Sequence, residues 1–290
     1  MLHHSLSEFQ TALLEKGIQL PNSDISNEDK VGIDVFTTDG LEYVQHITIG
    51  TPGQEFAVWV NLNVQWLLIP SAKCLTPSCS GRKKFDPIKS YTYHDLSRTW
   101  GITIAGLRAS GKFGSDVMKI GSNDDSHPYI WDFTFNLAEQ LTLNDSAESE
   151  FDGILGLLFD YDNDSFIDNL VEKGELDRPI FTIRLDSRHS EDGKPAGAIT
   201  YGTTDDEGCE SAVDYLPLIS PQIFEVLPYS FEIDGIAMGN FNSSDTYTVA
   251  LNMGMWIQVY HDLANAMAEV AGAKALFSSK NLIVKKISRL

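Results

Sequence analysis

Three asparagines interrupt two strongly apolar segments of the chain. Asn61 and Asn63 lie in AVWVNLNVQWLLIP, residues 57–70, and Asn252 lies in TVALNMGMWIQV, residues 248–259. A buried carboxamide costs about 1–3 kcal/mol unless it is hydrogen-bonded, so these side chains need partners if their strands are buried. An amide can hold a water molecule but cannot take its proton, because it does not titrate near neutral pH. The chemistry open to these residues is therefore uncharged hydrogen bonding.

The two segments share one local pattern. WVNLNVQW and ALNMGMW both have an apolar residue, Asn, an apolar residue, Asn or Gly, and another apolar residue. Asn and Gly best tolerate positive φ, so we expect each strand to run into a tight turn with Asn61 or Asn252 at its tip. Turn asparagines that bond to their own backbone would give the same pattern, and without further features that interpretation is favoured. The separation of 191 residues, from 61 to 252, leaves room for one lobe per copy.

The elements that would position these tips are mainly short strands. Alternating and apolar runs divided by Gly, Pro, Asn and Asp turns predict a mainly antiparallel β protein. The predicted strands are LEYVQHITIG (41–50), EFAVWVNL (55–62), RTWGITIAGL (98–107), KFGSDVMKIG (112–121), YIWDFTFNLA (129–138), PIFTIRL (179–185), AGAITYG (196–202) and FEVLPYSFEIDGIAMG (224–239). Two helices are predicted. SFIDNLVEKGELD begins at Ser165 with Asp168 as an approximate capping box and ends at Gly174, and HDLANAMAEVAGAKA spans 261–275.

Composition bounds the class of protein. The chain has 290 residues, of which 42% are hydrophobic, so it can form one large or two medium domains. Its formal charge of −20 disfavours nucleic acid as a partner, because phosphates would be repelled. An acidic surface suits a low-pH compartment or a basic ligand, and it equally suits a merely soluble acidic protein.

Cysteines and sequons indicate export only weakly. Cys74 and Cys79 enclose LTPS, a loop that a disulfide could close, while Cys209 stands alone. A close pair and an orphan fit a secretory-pathway fold, and metal binding is disfavoured because no second Cys/His pair follows at ligand spacing. DYDNDS, residues 160–165, lacks the Gly and Glu of a calcium loop. No cofactor is predicted. The glycosylation sequons, which are common by chance, begin at Asn144, Asn163 and Asn242.

The two ends of the chain contrast with its middle. The first 30 residues are polar and acidic, without the apolar core of a signal peptide, and no run is long enough for a membrane span. After Glu269 there is no acidic residue, while basic residues accumulate. We expect either a solvated basic tail or a chain that stops early.

Several motifs in order resemble the pepsin-like aspartic proteases, whose two β lobes each carry a strand ending in Asp-Thr/Ser-Gly. The resemblance covers residues 31–274 and is densest in the first half. ITIGTPGQEF resembles the family's strand and Gly-Thr-Pro turn, and IPSAKCLTPSC its Pro-Ser followed by a four-residue disulfide loop. The remaining similar segments are KFDPIKSYTY, FDGILGL (151–157), FIDNLVEKGELDRPIFTIRL and AGAITYG.

The chain departs from the family at the catalytic positions. The resemblance puts Asn61 and Asn252 where the family has its two aspartates. Leu62 and Met253 stand at the Thr positions, which removes the hydroxyls that brace the two loops. In the flap hairpin, ITIAGLRASGKFG keeps Gly111 and Gly114 but has Ile104 at the tyrosine position. The substrate-binding positions that the resemblance implies are Asn63, Ile104, Gly254 and Met255.

These departures predict an inactive protease. Peptide hydrolysis by this family needs two carboxyl groups that share one proton, with one acting as base and the other as acid. Two amides can pair without charge repulsion but share no such proton, so we expect a pseudoprotease that binds extended peptides between its lobes. The alternatives are an active aspartic endopeptidase of acid pH and a truncated, non-functional remnant.

The resemblance also implies an organisation and a compartment. It predicts the pepsin-like bilobal acid-protease fold with a complete N-terminal lobe and a truncated C-terminal lobe. The expected segments are a leader or propeptide-like segment (1–30), the first lobe (31–187), a linker (188–197), a partial second lobe (198–275) and a divergent basic tail (276–290). A peptide or protein ligand is the expected partner, and a second partner would cover the incomplete lobe. Location is left open: the family suggests secretion or the vacuole, whereas this chain shows no signal peptide.

Overall fold

The computed structural model describes most of the first two thirds of the chain and shorter segments of the rest. The described residues are 31–37, 42–104, 106–121, 129–143, 151–159, 165–185, 194–205, 215–220, 223–227, 232–233, 236–237, 248–251, 253, 273–277 and 282–286. They form two compact units. The first comprises 1–224 with 252–254, and the second comprises 225–251 with 255–290. The predicted lobe boundaries and the linker at 188–197 stay predictions.

A seven-stranded sheet dominates the first unit. Its strands follow the order β2-β3-β8-β4-β7-β6-β5, and β2 also pairs with β6, so the sheet closes on itself. The strands are β2 (Val44–Ile49), β3 (Gln54–Asn61), β4 (Leu67–Pro70), β5 (His94–Ile104), β6 (Leu107–Ile120), β7 (Tyr129–Leu143) and β8 (Gly153–Gly156). Most neighbours are antiparallel, but β8 lies parallel to β3 and β7 lies parallel to β4. The mainly β prediction is therefore confirmed.

The side chains of β3 alternate between two apolar clusters, one on each face of the strand. Phe56, Val58 and Val60 are fully buried in the main core, whereas the residues between them lie on the opposite face and are only half-buried. Because successive side chains of a strand point to opposite faces, one strand can serve both clusters. The second cluster contains the disulfide and residues of β4, β6, β7 and β8.

A three-stranded sheet and one helix complete the first unit. The sheet has the order β1-β10-β9, formed by β1 (Val31–Val35), β10 (Gly197–Tyr201) and β9 (Phe181–Leu185). The helix α1 (Phe166–Glu172) begins as predicted, because the Ser165 hydroxyl oxygen accepts the Asp168 N–H at 3.2 Å. It ends before Gly174, whose φ of 76° suits a helix C-terminus. Two 3₁₀ turns, Pro77–Cys79 and Pro87–Lys89, lie in the loops after β4.

The described segments of the second unit are short antiparallel pairs. They are β11 (Glu225–Val226) with β14 (Val249–Ala250), β12 (Glu232–Ile233) with β13 (Ile236–Ala237), and β15 (Ala273–Phe277) with β16 (Leu282–Lys286). The run predicted as one strand at 224–239 is thus divided. None of the helices among the residues that the structure describes has the length and apolar character needed to cross a bilayer.

The predicted helix at 261–275 is wrong at its C-terminal end. Residues 261–272 lie outside the described part of the chain, but Ala273–Phe277 is a strand paired with Leu282–Lys286. Alanine favours helices, which is why the pattern extended to residue 275. Pairing with a neighbouring strand overrides that weak preference, because it satisfies backbone N–H and C=O groups at alternate residues along both strands.

Candidate functional site

Asn61 lies at the end of β3, where the chain turns back toward β4. Its side-chain oxygen accepts the backbone N–H of Asn63 at 2.8 Å, and its backbone oxygen accepts the N–H of Leu157 at 2.9 Å. Asn61 is half-buried, and Asn63 is exposed. The amide therefore closes a local turn in the way that turn asparagines do, and the turn is tied to the residue after β8.

Gly156 allows this turn to approach β8 closely. A Cβ at this position would lie 2.2 Å from the Val64 carbonyl oxygen and 2.8 Å from the Trp66 nitrogen. The Gly156 N–H in turn donates to the Trp66 oxygen at 3.1 Å, and Leu158 N–H donates to the Val64 oxygen at 3.0 Å. Gly156, the second glycine of FDGILGL, is thus needed because the backbone of Val64 and Trp66, which follow Asn61, passes directly over it.

Leu62 and Met253, which follow the two predicted dyad positions, are buried in the same core. Leu62 is 6% exposed and Met253 is 5% exposed, and both belong to the main apolar cluster of the first unit. Asn252 itself lies outside the described residues, as do Gly254 and Met255 and the sequon residues Asn144, Asn163 and Asn242. The prediction that two amides face each other therefore stays a prediction.

The predicted flap is a hairpin that closes between Ile104 and Leu107. Ile104 is 45% exposed at the end of β5, and it has no hydroxyl. Gly111 lies against β7, because a Cβ there would meet the Leu137 oxygen at 2.1 Å. The hairpin is held to the rest of the sheet at its tip as well, since Leu107 pairs with Leu143.

The predicted disulfide between Cys74 and Cys79 is present, with both residues buried. Asp152, which sequence reasoning did not single out, ties the segment after this loop to β3. One carboxylate oxygen accepts the Ala57 N–H at 2.9 Å, and the other accepts the Lys83 N–H at 2.7 Å. Its position inside FDGILGL was the available signal.

Charged groups near the hairpin are paired at the surface. The Asp95 carboxylate accepts a bond from Lys112 Nζ at 3.0 Å. The hydrogen bond from the Ser97 backbone N–H lowers the pKa of Asp95, and the bond from Lys112 lowers it further. The same bond to Asp95 raises the pKa of Lys112. Burial raises the pKa of Tyr93, and the negative charges of nearby acids raise it further.

Among the described residues, no group of three or more His, Cys, Asp and Glu side chains is placed to hold a metal ion.

Comparison with known proteins gives consistent matches. The profile of the family described as eukaryotic aspartyl protease matches residues 42–285. Aspartic protease 6 of Caenorhabditis elegans is 31% identical over 238 residues, which are 80% of this chain and 59% of that protein. Aspartic protease 2 of Necator americanus is 26% identical over 271 residues (79% and 62%), and Pepsin-3 of Oryctolagus cuniculus is 26% identical over 240 residues (77% and 60%).

The chain spans about three fifths of the length of these curated relatives. The family profile extends past Lys274, where the motif resemblance ended, and takes in both strands of the last hairpin up to residue 285. The structure has the closed β sheet, the disulfide loop and the FDGILGL strand, and the profile match covers well over half of the chain. The chain belongs to the eukaryotic aspartyl protease family.

Proposed function

We propose that this protein is a catalytically silent member of its family that binds extended peptides. One observation carries the proposal: the residue at the end of β3 is Asn61, and the motif resemblance assigns this position to the first catalytic aspartate of the family. Its amide oxygen already accepts the Asn63 N–H, so the side chain is held in the turn without charge. The second position, Asn252, has the same side chain in the sequence.

Two amides cannot supply the acid and base steps. The attacking water must lose a proton to a carboxylate while a protonated carboxyl polarises the substrate carbonyl. Loss of one such group typically lowers the rate by about 10²–10⁴. Groups that act as one unit fail together, so the loss of both leaves no useful turnover.

The residues beside the amides support the same proposal. Leu62 and Met253 are apolar and buried, so packing replaces the hydroxyl bracing that the family resemblance implies. Ile104 leaves the tip of the flap hairpin without a hydroxyl for the reacting centre. By contrast, the described part of the first unit has the closed sheet, the hairpin and the disulfide loop, and we assign the peptide site to these parts.

Family membership makes an active endopeptidase the competing candidate, because the relatives are named aspartic proteases and pepsins. Purified protein incubated with denatured protein at about pH 3 to 5, where such a dyad works, should give no cleavage. The matched variants are Asn61→Asp, Asn252→Asp and the double variant, each checked for folding. Pepstatin-sensitive cleavage by the unaltered protein would overturn the proposal that it is catalytically inactive.

Binding is tested on the same material. An immobilised library of extended peptides, and pepstatin as a single probe, are offered to the protein at acid and neutral pH. Retention of a subset of peptides supports the proposal. A folded protein that retains neither peptides nor pepstatin contradicts it and favours a remnant without a ligand.

A further inference from the structure

Exposed apolar side chains are concentrated in the segment between β4 and β5, residues 71–91, which we call the turn segment. Among the described residues, the most exposed large apolar side chains are Leu75 at 89%, Ile88 at 95% and Tyr91 at 79%. The next in order is Trp131 on β7, at 63%. Apolar residues that are scattered singly over a surface are normal, but these three lie close together in the chain. Such a concentration is typical of an interaction surface.

The charge of the turn segment is opposite in sign to the charge of the whole chain. The segment contains one acidic residue, Asp86, and five basic residues, which are Lys73, Arg82, Lys83, Lys84 and Lys89. Its formal charge is therefore +4, whereas the complete chain carries −20. A local excess of positive charge beside exposed apolar groups favours an anionic partner with an apolar interior.

Three of these lysines are exposed, namely Lys73, Lys83 and Lys89. Two of them form ion pairs at the surface. Lys73 Nζ lies 3.9 Å from Glu139, and Lys89 Nζ lies 3.7 Å from Asp86. Exposed ion pairs of this kind contribute little to stability, so the ammonium groups can exchange these partners for an external anion at small cost.

Hydrogen bonds hold the two halves of the turn segment side by side. The Ala72 N–H donates to the Phe85 oxygen at 2.8 Å, and Lys84 Nζ donates to the Cys74 oxygen at 2.7 Å. One half contains the disulfide loop, and the other contains the second 3₁₀ turn. The exposed apolar side chains of both halves are therefore carried by one connected frame.

The closed sheet anchors this frame. The Gln54 side chain on β3 exchanges two hydrogen bonds with the Asp86 backbone, since Nε2 donates to the oxygen at 3.0 Å and Oε1 accepts the N–H at 2.9 Å. The Thr76 hydroxyl donates to the Leu141 oxygen on β7 at 2.7 Å. Phe85 and both cysteines are fully buried. Because the backbone is already ordered, binding through its exposed side chains costs little additional loop entropy.

We propose that the turn segment docks this protein onto an anionic lipid bilayer. Peripheral membrane attachment needs two signals, and this segment has both: apolar side chains that can enter the acyl boundary and lysines that can meet anionic headgroups. A fluid bilayer accepts side chains that project separately, as Leu75 and Ile88 do, whereas a protein partner must offer a matching pocket for each. Tyr91 is an aromatic residue of the kind enriched at headgroup level.

The acidic remainder of the chain does not prevent such docking. Charges in salt solution act over a Debye length of about 8 Å at physiological ionic strength, so the repulsion of acidic groups farther from the bilayer is largely screened. The lysines of the turn segment lie on the docking surface itself, where their attraction is not screened in this way. The inference does not depend on the proposed peptide binding.

Sedimentation of the full chain with vesicles tests the docking surface. Vesicles of phosphatidylcholine alone are compared with vesicles that also contain phosphatidylserine. The unaltered protein should bind only the vesicles with phosphatidylserine, and raising the salt from about 0.1 M to about 1 M should weaken this binding. Equal binding to both kinds of vesicle, or to neither, overturns the inference. Retention by immobilised polyglutamate without vesicle binding also overturns it, and assigns the surface to an acidic polypeptide.

Matched substitutions locate the contact. Lys83→Gln should lower the affinity for the anionic vesicles about fivefold, and Ile88→Ser should lower it about tenfold. Lys173→Gln changes the total charge equally at an exposed position after α1, and Trp131→Ser removes an exposed apolar side chain from β7. Both controls should bind as the unaltered protein does. Equal affinities for the variants and their controls overturn the inference.

A second measurement uses the unaltered chain, so it does not depend on the folding of any variant. Protein with ¹³C-labelled methyl groups is mixed with anionic vesicles that contain a nitroxide-labelled lipid. The methyl signals of Leu75 and Ile88 should broaden more than that of Ile104, an exposed apolar residue of the flap hairpin. Equal or greater broadening at Ile104 overturns the inference and leaves the proposed peptide binding intact.

Discussion

Leu62 and Met253 are buried in one apolar core, although 191 residues separate them, from 62 to 253. Leu62 follows the asparagine at the end of β3, and Met253 follows Asn252 in the second copy of the same sequence pattern. Both are at most 6% exposed. Met253 is therefore held in the core of the first unit by its apolar side chain.

Replacing either residue by alanine should be costly and coupled. Leu62→Ala and Met253→Ala should each lower the free energy of unfolding by about 2–5 kcal/mol, because each leaves a cavity. Neighbouring residues of one core couple by about 0.5–3 kcal/mol, so the double variant should depart from the sum. Urea unfolding of the four proteins measures the coupling. Leu75→Ala is the control, since Leu75 is 89% exposed and should change the value little. Strict additivity would show that the two side chains do not touch within that core.

Gly156→Ala should disturb the turn that carries Asn61. The new Cβ would lie 2.2 Å from the Val64 oxygen, so backbone must move, at a cost of about 1–3 kcal/mol or more. Gly32→Ala is matched to it within a strand, because its Cβ would meet nothing closer than the Thr200 hydroxyl at 3.9 Å. That control should be neutral or slightly stabilising. Equal melting temperatures for the two variants would contradict the close approach.

Tyr201 should make the fold sensitive to alkaline pH. Its hydroxyl donates to Gln45 Oε1 at 2.7 Å, and burial raises its pKa above the ordinary value. The folded state thus holds the proton more tightly than the unfolded state, so this stabilisation is complete below a pH of about 10 and declines as pH rises above it. Urea unfolding at increasing pH should show the decline.

Tyr201→Phe separates the proton from the hydrogen bond. The variant should lose about 1–3 kcal/mol at neutral pH, because Gln45 Oε1 is left buried without that donor. Its remaining stability should fall less steeply above a pH of about 10, where the tyrosine would ionise. Tyr91→Phe, at a side chain that is 79% exposed, is the control. An unchanged alkaline slope in Tyr201→Phe would refute the assignment.

Asp152→Asn should loosen the link between β3 and the segment that follows the disulfide loop. The carboxylate accepts from Ala57 N–H and Lys83 N–H with separate oxygens, whereas an amide has only one oxygen and would turn its NH₂ group toward the other donor. A lost bond to a charged acceptor corresponds to about 1.5–3 kcal/mol. Hydrogen exchange at Lys83 or Ala57 should become faster. Asp95→Asn, which alters an exposed ion pair, should leave both of these amides protected. Unchanged exchange in Asp152→Asn would contradict the two hydrogen bonds of Asp152.

Local patterns in the sequence were sufficient for several elements. Ser165 and Asp168 predicted the start of α1, and LTPS between two cysteines predicted the disulfide loop, because capping and short loop closure involve residues close in the chain. The ordered motifs predicted the family, which the profile match confirms. Local propensity failed at Ala273, where strand pairing outweighs a small helix preference.

By itself, the sequence determined the family, the mainly β character and the uncharged side chains of Asn61 and Asn252, since these depend on residue type and order. Only the tertiary structure decided that Asp152 bonds to Ala57, that Tyr201 meets Gln45 and that Trp59 is left without an acceptor. The reason is physical: a buried polar group is satisfied or orphaned by whichever distant residues surround it, and no local pattern specifies those neighbours.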